Sequence, residues 1–265
     1  MTDPAYLVAL DVDGTILTHG GELSPAVAAA IARAASLGHH IVIATGRSIV
    51  ATTPIVEMLG LTTGYAVCSN GAVTIRLDPE LPKGYEVVET VTFDPRRVLS
   101  LLREELPTAL VAVEDLGVGF RVSSPFPDGE LGGQQSVVPF DELLAHPATR
   151  VTLRMPDASP EDFMARVESI GLHEVAYAVG WTAWLDINPE GVSKASALEL
   201  VRRRLGVEPW ATIAVGDQRN DIEMLRWAAR GVAMGNAPDE VKAAANEVAA
   251  SVQADGLVGV LAVLS

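Results

Sequence analysis

The chain is poor in cysteine, in aromatic residues and in positive charge. Its one cysteine, Cys68, among 265 residues excludes an internal disulfide and fits a reducing compartment. Cys68 lies in an apolar stretch, which predicts buried packing rather than a reactive thiol. Aromatic residues are 5% of the chain against 49% hydrophobic residues overall, so the core must be built from Ala, Val and Leu. Lys and Arg number 19 against 34 Asp and Glu, a formal net charge of −15. Such a surface repels nucleic acid and anionic membranes. An anionic substrate must then be drawn in by local charge, such as a bound metal or one lysine. The histidines (His19, His39, His40, His146 and His173) show no metal-ligand spacing, and His39-His40, after a helix-ending Gly38, are expected to be exposed turn residues. Met1 to Pro4 has no basic n-region, so no secretory leader is expected. The first apolar run is too short to span a bilayer. The expectation is a soluble, cytoplasmic protein.

What is present is a series of short apolar runs that end in chemistry-bearing residues. The run at 6–10 leads into Asp11-Val12-Asp13-Gly14-Thr15, and it reads as a buried parallel strand whose carboxyl end opens into a crevice. Open α/β sheets bind ligands at that end. For an isolated Asp-x-Asp-Gly an Asx-turn capping a strand is the commoner reading, so the rest of the chain has to decide. Ser24 is a good N-cap and Pro25 fits the first helical position, with Val27, Ile31 and Ala34 on one face. A strand at 40–44 ends in Thr45-Gly46-Arg47, and a helix at about 48–59 contains Pro54, which is expected to kink or break it. A strand at 65–68 ends in Ser69-Asn70-Gly71-Ala72, a turn into a strand at 73–77. Strand, helix, strand, helix, strand predicts a parallel sheet with crossover helices.

Pro79 and Pro82 mark an expected linker. Beyond it, strands are predicted at 85–93, 110–114, 118–123, 150–155, 175–179 and 184–187. Helices are predicted from Asp94-Pro95 to Leu106 and at 159–170, and 126–135 reads as a long loop. After Pro189 the opening style returns, with a helix at 193–205 and a strand at 212–215 ending in Gly216-Asp217. The fold class expected is therefore α/β, with a Rossmann-like core of residues 1–81 and 189–265 and an inserted α+β domain over 82–188. No sequence repeats or low-complexity tracts interrupt this plan.

Parallel strand ends share one rim, so Asp11, Asp13, Thr45, Lys194 and Asp217 are expected to converge. Hard oxygen ligands of this kind suit Mg²⁺. No Gly-x-x-x-x-Gly-Lys-Ser/Thr is present, which disfavours a P-loop kinase. The set Asp11-x-Asp13-Gly14-Thr15, Ala44-Thr45-Gly46-Arg47, Ser69-Asn70-Gly71-Ala72, Gly191-Val192-Ser193-Lys194 and Gly216-Asp217-x-x-Asn220-Asp221-x-x-Met224 resembles the haloacid dehalogenase (HAD) superfamily. The likeness is strongest to its Cof-type, class IIB sugar-phosphate phosphatases, and it continues through Gly231-Val232-Ala233-Met234-Gly235-Asn236-Ala237. One departure is Ala195, where relatives often carry glycine.

The resemblance implies a Mg²⁺-dependent phosphatase of small phosphorylated metabolites, with 82–188 as a mobile cap. It implies Asp11 as nucleophile and Asp13 as general acid and base. It places the metal on Asp11, Asp13 (through its backbone carbonyl) and Asp217, with Asp221 either a further ligand or an orienting group. Thr45, Gly46 and Lys194 would hold the phosphoryl group, with Asn220 as a candidate substrate contact and Arg47 and Asn70 either substrate contacts or structural hydrogen-bond partners. More specialised readings are a mannosyl-3-phosphoglycerate phosphatase, a phosphomannomutase-like enzyme, or a phosphosugar-binding regulator without turnover. The stretch from Gly14 to Gly21 reads either as a flap gating water or as a surface turn. Trp181 and Trp184 read either as a sugar-stacking wall or, at alternating strand positions, as core.

Overall fold

The computed structural model describes residues 5–170 and 183–264 and the backbone of 175–179. Met1 to Pro4, His173 and Trp181 lie outside the described residues. By its internal contacts the chain divides into two compact units. The first comprises residues 1–46, 52–89 and 193–265, the second residues 47–51 and 90–192.

The first unit is built on an eight-stranded sheet. Its strands are β1 (Leu7–Leu10), β2 (His40–Ala44), β3 (Gly64–Cys68), β4 (Val73–Leu77) and β5 (Tyr85–Thr90), followed much later by β12 (Thr212–Gly216), β13 (Arg230–Ala233) and β14 (Glu247–Val248). Their order is β14-β13-β12-β1-β2-β3-β4-β5. From β14 to β3 every pair is parallel, and β3–β4 is antiparallel. All four residues of β1 are fully buried, as a central strand covered on both faces requires. A buried Leu or Val side chain contributes about 1.5–3 kcal/mol, which fixes β1 at the centre. Leu10 pairs with Val215 on one side and Ile43 on the other, so the ends of β1, β2 and β12 come level at one rim.

Local signals act as the sequence predicts. Ser24 Oγ accepts from the Ala26 amide at 3.3 Å, and Pro25 opens the helix Pro25–Ser36. Pro54 does not break its helix, which runs Ile49–Met58. His39 departs from expectation. It is buried, its Nδ1 accepts from the Tyr6 amide at 3.2 Å, and its ring meets Tyr6 edge-on. Cys68 is buried at the end of β3.

The boundary expected at 81 is also corrected. β5 lies beside β4 in the eight-stranded sheet instead of opening the inserted segment. Asp78 N donates to Gly84 O at 2.9 Å, Leu81 N to Asp78 O and Gly84 N to Leu81 O. The two prolines therefore sit in a compact connection between neighbouring strands, not in a linker.

The second unit carries a six-stranded sheet of β6 (Leu110–Asp115), β7 (Gly119–Val122), β8 (Gln134–Val137), β9 (Val151–Arg154), β10 (Val175–Val179) and β11 (Trp184–Pro189), ordered β10-β11-β9-β6-β7-β8. Only β7–β8 is parallel. The helices Arg96–Glu105 and Pro160–Ile170 pack on one face through Leu99, Leu102, Phe163 and Val167 against Val111, Val113, Leu153 and Leu185. β8 begins in the stretch expected to be loop, at Gln134 and Gln135, and runs two residues past it. Trp184 meets Phe126 edge-on at 6.0 Å, beside a cluster of Ala112, Phe120 and Val122. It is half-buried against that cluster.

Candidate active site

Asp11 follows β1 directly and donates its amide to Val215 O at 3.0 Å, which holds it beside the end of β12. Lys194 comes from the other half of the chain, as the first residue of the helix Lys194–Leu205. Ser193 and Ser196 form a reciprocal capping box there. A cation at a helix N-terminus faces the positive end of the helix dipole, and Lys194 is fully buried as well. Two carboxylates overcome both penalties: Nζ donates to Asp11 Oδ1 and to Asp221 Oδ1, each at 2.6 Å. Burial alone would lower the lysine pKa, but Asp11 and Asp221 more than offset it, holding the ammonium well above its ordinary range.

Asp221 is committed on its other side too. Its Oδ2 accepts from the Asp217 and Gln218 amides, both at 2.8 Å. Asp217 is held by Asn236 Nδ2 at 3.0 Å, Gln218 Nε2 at 3.2 Å and Thr15 Oγ1 at 3.5 Å. Gly14 makes this approach possible. Its φ is +83°, and a Cβ there would collide with the Asp217 carboxylate, so no other residue fits the turn after β1.

Asp11, Asp217 and Asp221 each bring a buried oxygen within 4.8 Å of the others. Three carboxylates and one ammonium carry a net −2 when all are ionised, a charge that burial strongly opposes. Accordingly, burial and then Asp221 raise the pKa of Asp11 well above the carboxylate range, against the opposing pull of Lys194. The same two causes push Asp217 up to about 7. A hard divalent cation would supply the missing positive charge to this oxygen set, so the residues fit such an ion.

The remaining expected residues are placed as follows. Asp13 is half-buried, forms a backbone bridge with Leu17 and lies outside the three-carboxylate group. Its charge is close enough to raise the Asp217 pKa further. Leu17 also bridges Leu23, so the stretch after Gly14 is held by β-bridges around an exposed turn, in which Gly21 N donates to Thr18 O. Thr45 is buried at the end of β2 and accepts the Asn70 amide at its carbonyl, at 3.0 Å. Gly46 follows it, and Asn70 Oδ1 accepts from Asn220 Nδ2 at 2.9 Å. Arg47 is half-buried and groups with the second unit.

Sequence reasoning gave no role to Asn236 or Thr15, which hold Asp217, nor to His19, whose Nε2 lies 4.0 Å from Asp217 Oδ2. The signal for Asn236 was Gly235-Asn236-Ala237 after a strand. Its amide donates to Gly14 O at 2.9 Å as well as to Asp217, and it joins the two halves of the site.

A family model described as haloacid dehalogenase-like hydrolase matches residues 8–261. The chain belongs to that family. It is 32% identical over 259 residues to pyridoxal phosphate phosphatase YbhA of Escherichia coli strain K12, covering 91% of this chain and 92% of that protein. The structure of the HAD phosphatase BT1666 from Bacteroides thetaiotaomicron superposes with a TM-score of 0.78 at 25% identity, covering 98% and 94% of the two chains. The subclass IIB sugar phosphatase BT4131 shares the fold, with a TM-score of 0.81 at 23% identity over 97% and 98%. This HAD-like chain is accordingly a phosphoric monoester hydrolase. None of the helices among the described residues is long and apolar enough to cross a membrane.

Proposed function

We propose that this enzyme hydrolyses phosphate monoesters of small metabolites, sugar phosphates foremost, with Mg²⁺ and through an aspartyl-phosphate on Asp11. The observation that supports this most is the buried ammonium of Lys194 held between Asp11 and Asp221, inside a carboxylate group that needs a further cation. Mg²⁺ on Asp11, Asp217 and the Asp13 carbonyl would supply positive charge beside the nucleophile and the phosphate.

In this reading a carboxylate oxygen of Asp11 attacks phosphorus in line. The phosphorus–ester oxygen bond breaks, and its electron pair leaves on the alcohol oxygen, which takes a proton from Asp13. Water then attacks the phosphorus of the aspartyl-phosphate and gives its proton to Asp13. The bond to Asp11 breaks, and inorganic phosphate leaves. Lys194 neutralises charge on the transferring group, and Asp221 orients Lys194, both of its oxygens being engaged already. Thr45 and the Gly46 amide are assigned to the phosphoryl oxygens, and Arg47 and Asn220 to the rest of the ligand. The second unit, an α+β insertion, is assigned to substrate selection, with the core formed by the two flanking segments.

Two of the relatives carry names for different substrate bodies, a pyridoxal and a sugar, and the monoester is their common part. The test is phosphate release from a panel of phosphorylated metabolites and from an aryl phosphate, with Mg²⁺ and with EDTA. Asp11→Asn is expected to abolish release, Asp13→Asn nearly to abolish it, and EDTA to reproduce the loss. Full turnover in Asp11→Asn would remove the covalent mechanism. Sugar-phosphate binding without release in Mg²⁺ would make the chain a binding regulator instead.

A further inference from the structure

Among the described residues, three that are not glycine have a left-handed backbone: Ser69 (φ 49°), Asn70 (φ 54°) and Asp255 (φ 53°). The first two are consecutive and buried, and they lie at the carboxyl end of β3. Such backbone is strained and persists where the surroundings over-determine it. Gly71 extends the left-handed run, with φ 103°.

The surroundings here are three site loops. The Asn70 amide donates to Thr45 O at 3.0 Å, fixing the turn to the loop after β2. A side chain at Gly71 would collide with Ser193 O, so the turn packs against the cap of the helix that carries Lys194. The Asn70 side chain reaches the loop after β12, where Oδ1 accepts from Asn220 Nδ2 at 2.9 Å. That leaves Asn220 Oδ1 buried with no hydrogen-bond partner. An acceptor in that state is destabilising until a donor reaches it.

We propose that Asn70 is a positioning residue, which grips Asn220 so that the Asn220 carbonyl oxygen accepts a hydrogen bond from an O–H group of the bound ligand during turnover. This rests on the hydrolytic reading above, and it takes Asn70 as support for a neighbouring side chain and not as a substrate contact. The left-handed turn keeps Thr45, Lys194 and Asn220 in register with one another. The Asn70 amide side chain fixes which edge of Asn220 faces the ligand.

The experiment compares Asn70→Gly, Asn220→Ala and the double variant with the parent, by kcat and KM for an aryl phosphate in saturating Mg²⁺ and by thermal melting. Glycine accepts the left-handed backbone, so Asn70→Gly removes the amide and keeps the turn. Each single substitution is expected to lower kcat by about tenfold to hundredfold, the range for a small misplacement at a reacting centre. KM is expected to stay within about threefold, as for an interaction made in the transition state. The double variant is expected to be no slower than the poorer single one, because the residues act as a unit.

A rise in KM with kcat preserved in Asn70→Gly would show direct substrate contact and overturn the proposal. Losses that multiply in the double variant, or an Asn70→Gly enzyme with parental kcat, would do the same. If Asn70→Gly does not fold, Asn220→Ala decides alone, since it leaves the turn untouched and parental kcat there ends the idea. Phosphate release by the parent and its loss in Asp11→Asn are established first. Failure at that stage counts against the hydrolytic mechanism, and failure afterwards against the positioning role only.

Discussion

Replacing Lys194 by methionine probes the charge balance of the site most directly. Methionine keeps an unbranched side chain of similar length and removes the ammonium. Lys194 is fully buried, and both of its carboxylate partners, Asp11 and Asp221, lie at 2.6 Å with almost no exposure. Removing one partner from a buried ion pair costs about 3–5 kcal/mol, and no solvent is present here to reduce that. The penalty should depend on pH in a definite direction. Asp11 and Asp217 already have raised folded-state pKa values, Asp217 at about 7. A raised carboxylate contributes stability that is complete below its unfolded value near 4 and is lost as pH rises through the folded value. Without the lysine both groups titrate higher still, so acid should rescue the variant by protonating them.

The assay is urea unfolding of parent and Lys194→Met in EDTA at pH 7.5 and pH 5. The difference is expected to be about 3–5 kcal/mol at the higher pH and clearly smaller at the lower. Turnover of an aryl phosphate should fall by about 10²–10³, the cost of losing one electrostatic stabiliser. A stability difference below about 1 kcal/mol at pH 7.5, the level of an exposed pair, would refute the reasoning. So would a penalty that grows on acidification.

Other perturbations follow from the same geometry. Gly14→Ala should cost at least about 2 kcal/mol from the left-handed backbone and the collision with Asp217, and should weaken Mg²⁺ binding by about tenfold or more. Calorimetric titration with Mg²⁺ alone would check it. Glu199, on the helix that carries Lys194, has its pKa lowered to about 2 by hydrogen bonds, first from Arg202 and then from Trp227 and Arg203. Its stabilisation is present above the unfolded value near 4.5 and is lost as pH falls toward 2. Glu199→Gln should therefore cost about 1–2 kcal/mol at neutral pH and converge with the parent near pH 2 in thermal melts.

Much of the core was legible because its strands are uninterrupted apolar runs that stop at polar punctuation. β2 and β4 have the bounds expected for them, and Asp11, Thr45 and Asp217 follow strands that end level. Lys194 was legible through Gly191-Val192-Ser193-Lys194 at the start of the helix expected at 193–205. The failures have physical causes. β8 reads Gln134-Gln135-Ser136-Val137, with no apolar alternation and two glycines before it, so only its pairing with β7 makes it a strand. β5 was assigned to the wrong sheet because neighbours are chosen by tertiary pairing, and proline punctuation does not distinguish a turn from a linker. His39 was expected at the surface because two histidines after a glycine carry no periodic signal, and the Tyr6 ring that covers it comes from another strand. Asn236 and the Asn70–Asn220 contact join residues 150 or more positions apart, and no local pattern encodes a partner at that range.

The 183 positions between Asp11 and Lys194 set an order of events during synthesis. Strands β1 to β5 are neighbours in both sequence and sheet, so they can pair as they emerge. β12, which takes the other side of β1, is made only after residues 90–192. At ~5–20 residues per second the growing chain waits several seconds with β1 as an open edge of bare amides and carbonyls, a template for unwanted pairing. Over the same interval Asp11 lacks its buried ammonium. A ribosome-bound fragment ending before residue 212 should therefore recruit chaperones, and one extended past β13 should release them.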